Sequence, residues 1–449
     1  MLLPALKRFY PAAAAAALWT AIAVVTFVKA PTPTHSVYPL FRSGGAAWLA
    51  SESIYHGACE NFQYWPGFAA FMAPFARLPY APGAVLWSAL EFALYGLGAL
   101  AFAKAALPGG GAWGRRAALF LLALAPLAAD GFVCQQSNPL LGAALMFGAA
   151  AAARRQWWRA ALWLLLPGAV KLGPLCFVML FVAVFPRRLG WRAAALLAGA
   201  AALPFLLQGP GYVANCYREW VDMLVNQEAG ERWAYRDAWT AWEYCATGAV
   251  TSHGKIADMG HYRLVQLMAA AAAFLLCLPW RRRWRGDEGA DATGQAPHLA
   301  AALLPLLAGA WWLQLFGPST EIATGALFAP GPAAALIVAI AAWRAQKAGR
   351  GRGEWDEQDE RDGRDGQNGQ GGQGKRAAGG GGVSLWLMAA AYAFIALGMN
   401  GDLEYHLGKW QPEADWPKLL LPVGGILFGV WLFGWGKRAI LAATGEEKE

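Results

Sequence analysis

The sequence predicts an all-α, polytopic membrane protein, on three observations. Apolar residues make up 57% of the chain and charged residues only 15%, against about 45–50% and about 25% in soluble domains. The apolar residues fall in blocks of roughly 17–25, the length that crosses a bilayer as helix. The lysines and arginines gather in short clusters at the ends of those blocks. A net charge of +8 would otherwise invite a nucleic-acid partner. Its distribution instead reads as the orientation signal of membrane spans, whose basic ends stay in the cytoplasm. The six cysteines show neither CxxC nor Cys/His metal spacing, and there is no HExxH or Walker A motif. No metal or nucleotide cofactor is expected.

The block 11–28 follows Lys7 and Arg8. It is longer than a signal-peptide core and no small-residue cleavage site follows, so it is read as a retained first span. It exits, leaving 31–63 outside. The piece 68–78 is short and broken by proline, which suits an interfacial or re-entrant segment. Block 82–104 returns towards Arg115 and Arg116. Block 117–130 exits and sets a polar knot, Gln135, Gln136, Ser137 and Asn138, at the outer face. Block 139–153 returns to a basic hinge at 154–159.

The block 160–185 has basic residues on both flanks, yet its roughly 26 residues make only about 39 Å of helix. Broken near Gly168 and at Gly173–Pro174, it reads as two short helices meeting within the membrane. Lys171 sits at that break. Irregular backbone at such depth is tolerated only where it is buried in protein or lines a cavity, so Lys171 is expected to face a cavity. A cation there is a functional candidate by default.

Block 193–207 exits and 208–260 forms the longest outer loop. Blocks 263–278, 299–316 and 324–343 return, exit and return. The segment 344–382 is rich in Gly, Gln, Asp and Arg and nearly free of large apolar residues, the composition of a disordered cytoplasmic linker. Blocks 385–397 and 419–433 make the last pair. The expectation is about ten full spans plus one short hairpin. They divide into a transmembrane core 1–343 with outer loops 31–63 and 208–260, a linker 344–382, and a C-terminal pair with a cytoplasmic tail, 383–449. Five of the six histidines and many Trp and Tyr residues fall in the outer loops. They form an interfacial aromatic belt or a polar roof suited to sugars or lipid head groups. Cys59, Cys216 and Cys245 fall on the same side, where a disulfide between loops and unpaired thiols are both open readings.

Four motifs carry a resemblance. They are VYPLFRSGGAAWLASESIY at 37–55 followed by FQYWP at 62–66, QQSN at 135–138, KLGP at 171–174, and FGPSTE at 316–321. Their order and spacing resemble the integral-membrane GT-C type glycosyltransferases, specifically glycosyltransferase family 87, which is similar to the polyprenyl-phosphate-mannose-dependent mannosyltransferases. The resemblance covers about 37–330. It implies a GT-C-like membrane fold and an inverting hexosyl transfer. The sugar, a hexose with mannose as the first expectation, would come from a polyprenyl-phosphate donor and go to a lipid or glycan acceptor at the outer face of the cell's inner (plasma) membrane. One position departs from the pattern: where the family opens the first motif with an acidic residue, expected to be the general base, this chain has Val37.

Transfer from a lipid phosphate needs a cation for the leaving phosphate, a base for the acceptor hydroxyl and polar groups for the sugar. Lys171 is the candidate cation, unless it snorkels to the interface, and Arg42 is a second. Gln136 and Asn138 either bond the donor's phosphate or hydroxyls, or cap the helix that follows, where Pro139 suits the first turn. Tyr64, from FQYWP, joins the substrate-binding set. The candidates for the base are the carboxylates near the motifs, Glu60, Glu321, Glu52 and Asp130. A second reading, a transporter or flippase of a lipid-linked or small polar substrate, would show paired broken helices in two repeats. One broken hairpin and no second copy are present, which favours the enzyme.

Overall fold

The computed structural model describes residues 2–59, 61–108, 113–226, 236–247, 259–286, 296–317, 320–361, 380–400 and 416–444. Among them there is helix and no strand. Seven helices are long and apolar enough to cross a membrane, or eight if the bent pair Ile322–Phe328 and Pro330–Ala348 counts as one span. This is fewer than the ten expected. The difference lies in blocks 139–153 and 385–397, whose apolar helices Asn138–Ala153 and Gly382–Gly398 are shorter than the other spans.

The chain runs through α1 (Leu2–Lys29), α2 (Tyr38–Ala50), α3 (Pro66–Ala76), α4 (Tyr80–Ala105), α5 (Trp113–Val133) and α6 (Asn138–Ala153). The broken block follows as α7 (Trp157–Gly168) and α8 (Leu175–Val184), separated where the glycines and Pro174 lie. Next come α9 (Trp191–Leu207), α10 (Pro210–Asn226), α11 (Ala238–Thr247), α12 (Met259–Gly286) and α13 (Ala296–Phe316). The last part holds α14 (Gly325–Phe328), α15 (Pro330–Arg361), α16 (Gly380–Gly398) and α17 (Leu420–Trp431). Helix α15 continues to Arg361, so the segment expected to be disordered from residue 344 begins as helix. Extending a helix already nucleated in the core costs little per residue. Residues 362–379 lie outside the described residues.

Helices α6 and α13 form the middle of the bundle. Apart from Asn138, His298 and Gln314 both are apolar, and their described side chains are buried along almost the whole length, as a helix without a polar stripe must be. Helix α6 is built of Ala, Gly and Leu, and small residues let neighbouring backbones approach where no water drives association. A Cβ on Gly142 would sit 2.3 Å from the carbonyl oxygen of Ala326 and 3.0 Å from the Tyr95 ring. That close approach brings α14, and the turn before it, against the start of α6. The outer helices α1, α9 and α12 expose Val24, Val28, Leu206, Leu207, Leu267 and Leu275, the surface a lipid-facing helix presents.

Candidate active site

The polar knot is held by backbone geometry before it does any chemistry. Gln135 adopts a left-handed conformation, φ 51°, which ends α5 and turns the chain into α6. Its buried side chain accepts from the Ser36 hydroxyl at 2.6 Å and donates to the Ala84 carbonyl at 3.0 Å and the Ser88 hydroxyl at 2.9 Å. The Val37 N–H donates to the Cys134 carbonyl at 2.9 Å. The start of the first motif is thereby tied to the knot. The Trp65 N–H donates to the Val170 carbonyl at 3.3 Å, which ties FQYWP to KLGP. Three of the four motifs are thus laced together by main-chain bonds.

The fourth arrives through Asn138. Its amide nitrogen donates to the Ala323 carbonyl at 2.9 Å, and its amide oxygen accepts from the Lys171 ammonium at 3.2 Å. Asn138 is therefore not a helix cap: its side chain spans the site, and no side chain caps α6 at Ser137. Lys171 also lies over the Tyr64 ring, 5.3 Å from its centre, within cation–π range. Held on both sides, it does not snorkel.

These motifs enclose a cavity of about 350 Å³, lined among others by Val37, Tyr64, Gln136, Asn138, Lys171 and Glu321. Among the described residues, Lys171 and Glu321 are the charged side chains in that lining. Gln136 lines it with a buried side-chain oxygen that no group among the described residues satisfies. Such an orphan acceptor is costly unless a ligand or water meets it. Burial pushes the Glu321 carboxyl above its ordinary value, and the Lys171 ammonium and the Arg236 guanidinium pull it back. The Glu321 N–H donates to the Thr324 hydroxyl at 3.2 Å, which holds the turn that presents the carboxylate.

A glycosyltransferase family 87 model matches residues 62–309, more than half of the chain. The chain belongs to glycosyltransferase family 87. It is accordingly a membrane glycosyltransferase, with a sugar donor and an acceptor as its substrates. No curated protein and no solved structure matches the chain. Within the matched region of this glycosyltransferase lie Tyr64, Gln136, Asn138 and Lys171, while Val37 and Glu321 flank it.

Of the sequence-predicted residues, Lys171, Gln136, Asn138, Tyr64 and Glu321 converge on the cavity. Arg42 does not line it: its guanidinium donates to the Leu78 carbonyl at 3.3 Å. Glu52 is exposed, and its carbonyl accepts from Tyr212. Asp130 lies one turn back in α5, with the Cys134 thiol 3.7 Å from its carboxylate. Glu60 lies outside the described residues. The cysteines are free thiols, with Cys59 and Cys216 buried and Cys245 exposed. The sequence reading missed Asn61, Gln63, Thr320 and Thr324 on the cavity wall; Asn61 precedes FQYWP, Gln63 lies within it and the threonines flank Glu321, so proximity to the motifs was the available signal.

Proposed function

We propose that this glycosyltransferase moves a hexose, mannose in the first instance, from a polyprenyl phosphate to an acceptor hydroxyl on the outer side of the plasma membrane, with inversion at the anomeric carbon. The observation that carries the reading is that Lys171 and Glu321 line one cavity from opposite motifs. A phosphate leaving group needs a compact positive charge, and an incoming hydroxyl needs a proton acceptor.

In this reading the acceptor oxygen attacks the anomeric carbon while its proton passes to Glu321. The bond from that carbon to the phosphate oxygen breaks, and the charge gained by the polyprenyl phosphate is met by Lys171. Asn138 holds the ammonium in place. Gln136 offers its unsatisfied oxygen to a sugar hydroxyl, and the Tyr64 ring forms an apolar wall beside the cation. Glu321 takes over the task of the acid that is absent at Val37: both residues line the same cavity, so a base on either wall reaches the same space. The GT-C type architecture and the outward-facing site follow from the resemblance and from the basic clusters, which lie away from the polar knot along the chain.

The test is transfer from radiolabelled polyprenyl-phosphate mannose to an alkyl mannoside in membranes, at matched expression. Glu321→Gln should abolish transfer, and the product of the parent enzyme should carry the inverted anomeric configuration. Transfer by Glu321→Gln at the parent rate would remove Glu321 as the base.

A further inference from the structure

Between α9 and α12 the chain brings Arg236 and Asp237 against the edge of the site. Arg236 is 4% exposed and Asp237 is fully buried. The Arg236 N–H donates to the carbonyl of Thr320 at 2.8 Å, immediately before Glu321. Asp237 locks the segment in place. One carboxylate oxygen accepts from the N–H and hydroxyl of Thr240, at 2.9 and 3.1 Å, and the other from the Tyr262 phenol at 3.1 Å. Helix α12 is tied to the end of α13 as well, by Gln266 donating to the Phe316 carbonyl at 2.7 Å and by the Trp312 indole donating to the Gln266 carbonyl at 3.0 Å. Arg236 is therefore fixed against the very turn that presents the cavity's carboxylate.

Charge balance gives this placement a purpose. On the reading above, the loaded cavity holds two anions, the phosphodiester and Glu321, and among the described residues that line it Lys171 is the cation. Removed from water, an unpaired anion of that kind takes up a proton. Four groups face Glu321 electrostatically. Lys171, from the turn between α7 and α8, and Arg236 favour its charged form, while the Tyr64 phenol and the Cys134 thiol feel its charge as neutral neighbours. Once the donor phosphate claims Lys171, Arg236 is, among the described residues, the cation left to the carboxylate. Arginine stays charged at any working pH, which lysine in a buried site does not.

We infer that Arg236 is the positioning residue of Glu321. Its backbone anchors the turn at 320–321, and its guanidinium keeps the carboxylate ready to accept a proton while Lys171 serves the phosphate. The inference rests on Glu321 being the base, but the experiment separates the two. The purified full chain in detergent is titrated by infrared spectroscopy, and the protonated-carboxyl band absent from Glu321→Gln reports Glu321. Arg236→Met should raise the midpoint by about one pH unit or more, the scale of a lost neighbouring opposite charge, and Arg236→Lys should leave it near the parent value. Where the Met variant fails to fold, Arg236→Gln gives the same readout with a hydrogen-bonding head. The acid limb of transfer should move upward in step with the band. An unmoved midpoint in a folded Arg236→Met or Arg236→Gln protein, or a uniform loss of rate at every pH, makes Arg236 a structural residue only and overturns the inference. If Glu321→Gln transfers sugar normally while the midpoint still moves, Arg236 acts on Glu321 but the base lies elsewhere.

Discussion

Asn138 couples Lys171 to the far wall of the cavity, accepting from its ammonium at 3.2 Å while donating to the Ala323 carbonyl at 2.9 Å. The lysine is thus aimed by a neutral amide, a contact that orients it without neutralising it. Lys171→Met retains the apolar stem and removes the charge, so folding should survive. Losing one well-placed donor to a developing negative charge costs about 10²–10³ in rate. Lys171→Arg should recover only part of this, because a planar fork does not fill the place of a compact ammonium. Initial rates from labelled polyprenyl-phosphate mannose decide it; a Met variant at the parent rate would place the phosphate elsewhere.

The pH profile should carry the signature of Glu321. A base must be unprotonated, and burial raises this carboxyl above its ordinary 4.5. Rate should therefore fall as pH drops through a limb lying above 4.5, and level off at higher pH. Glu52→Gln and Asp130→Asn, whose carboxylates lie outside the cavity lining, should keep both the rate and the limb. A limb that follows either of these residues would reassign the base.

Val37 offers a gain-of-function test. Its side chain lines the cavity and its N–H is anchored to the Cys134 carbonyl, so a side chain placed there keeps a fixed origin. In the Glu321→Gln background, Val37→Asp should restore a measurable part of the transfer rate. Assays of the single and double variants side by side check it, and a double variant no better than Glu321→Gln shows that the two walls do not serve the same acceptor oxygen.

Stability should separate two glycines of similar appearance. Gly142→Ala drives a methyl into the Ala326 carbonyl, 2.3 Å away, and should cost about 1–3 kcal/mol as overpacking does. Gly96→Ala meets nothing within 4 Å and should stabilise α4 by about 0.5–1 kcal/mol, the helix cost of glycine. Thermal unfolding in detergent measures both.

Much of this was readable from the sequence. The break between α7 and α8 falls where Gly168, Gly173 and Pro174 predicted it, because those residues disrupt helix wherever they lie. Lys171 facing a cavity followed from the expense of a cation among apolar residues. Which of the described carboxylates Glu52, Asp130 and Glu321 lines the cavity did not follow, since each, like Glu60, sits near a motif and only the packing of α14 against α6 brings Glu321 into the same lining as Lys171. Arg236 was invisible for a related reason. In sequence it is one basic residue of a polar loop, and its burial comes from main-chain pairing with Thr320, which no side-chain pattern records. The span count fell short of ten because hydropathy marks apolar blocks without saying whether a helix reaches both surfaces.

The shortness of α7 and α8 bears on the lipid as well as on the protein. At 12 and 10 residues they rise about 18 and 15 Å, against a hydrocarbon layer of about 30 Å. On the proposed reading of a lipid-phosphate donor, a turn between helices this short stops part-way into the membrane, and the donor's head group leaves the plane of its neighbours to meet Lys171. Bilayer thickness then enters catalysis as a reagent would: a thin membrane shortens the descent to the ammonium, and a thick one lengthens it.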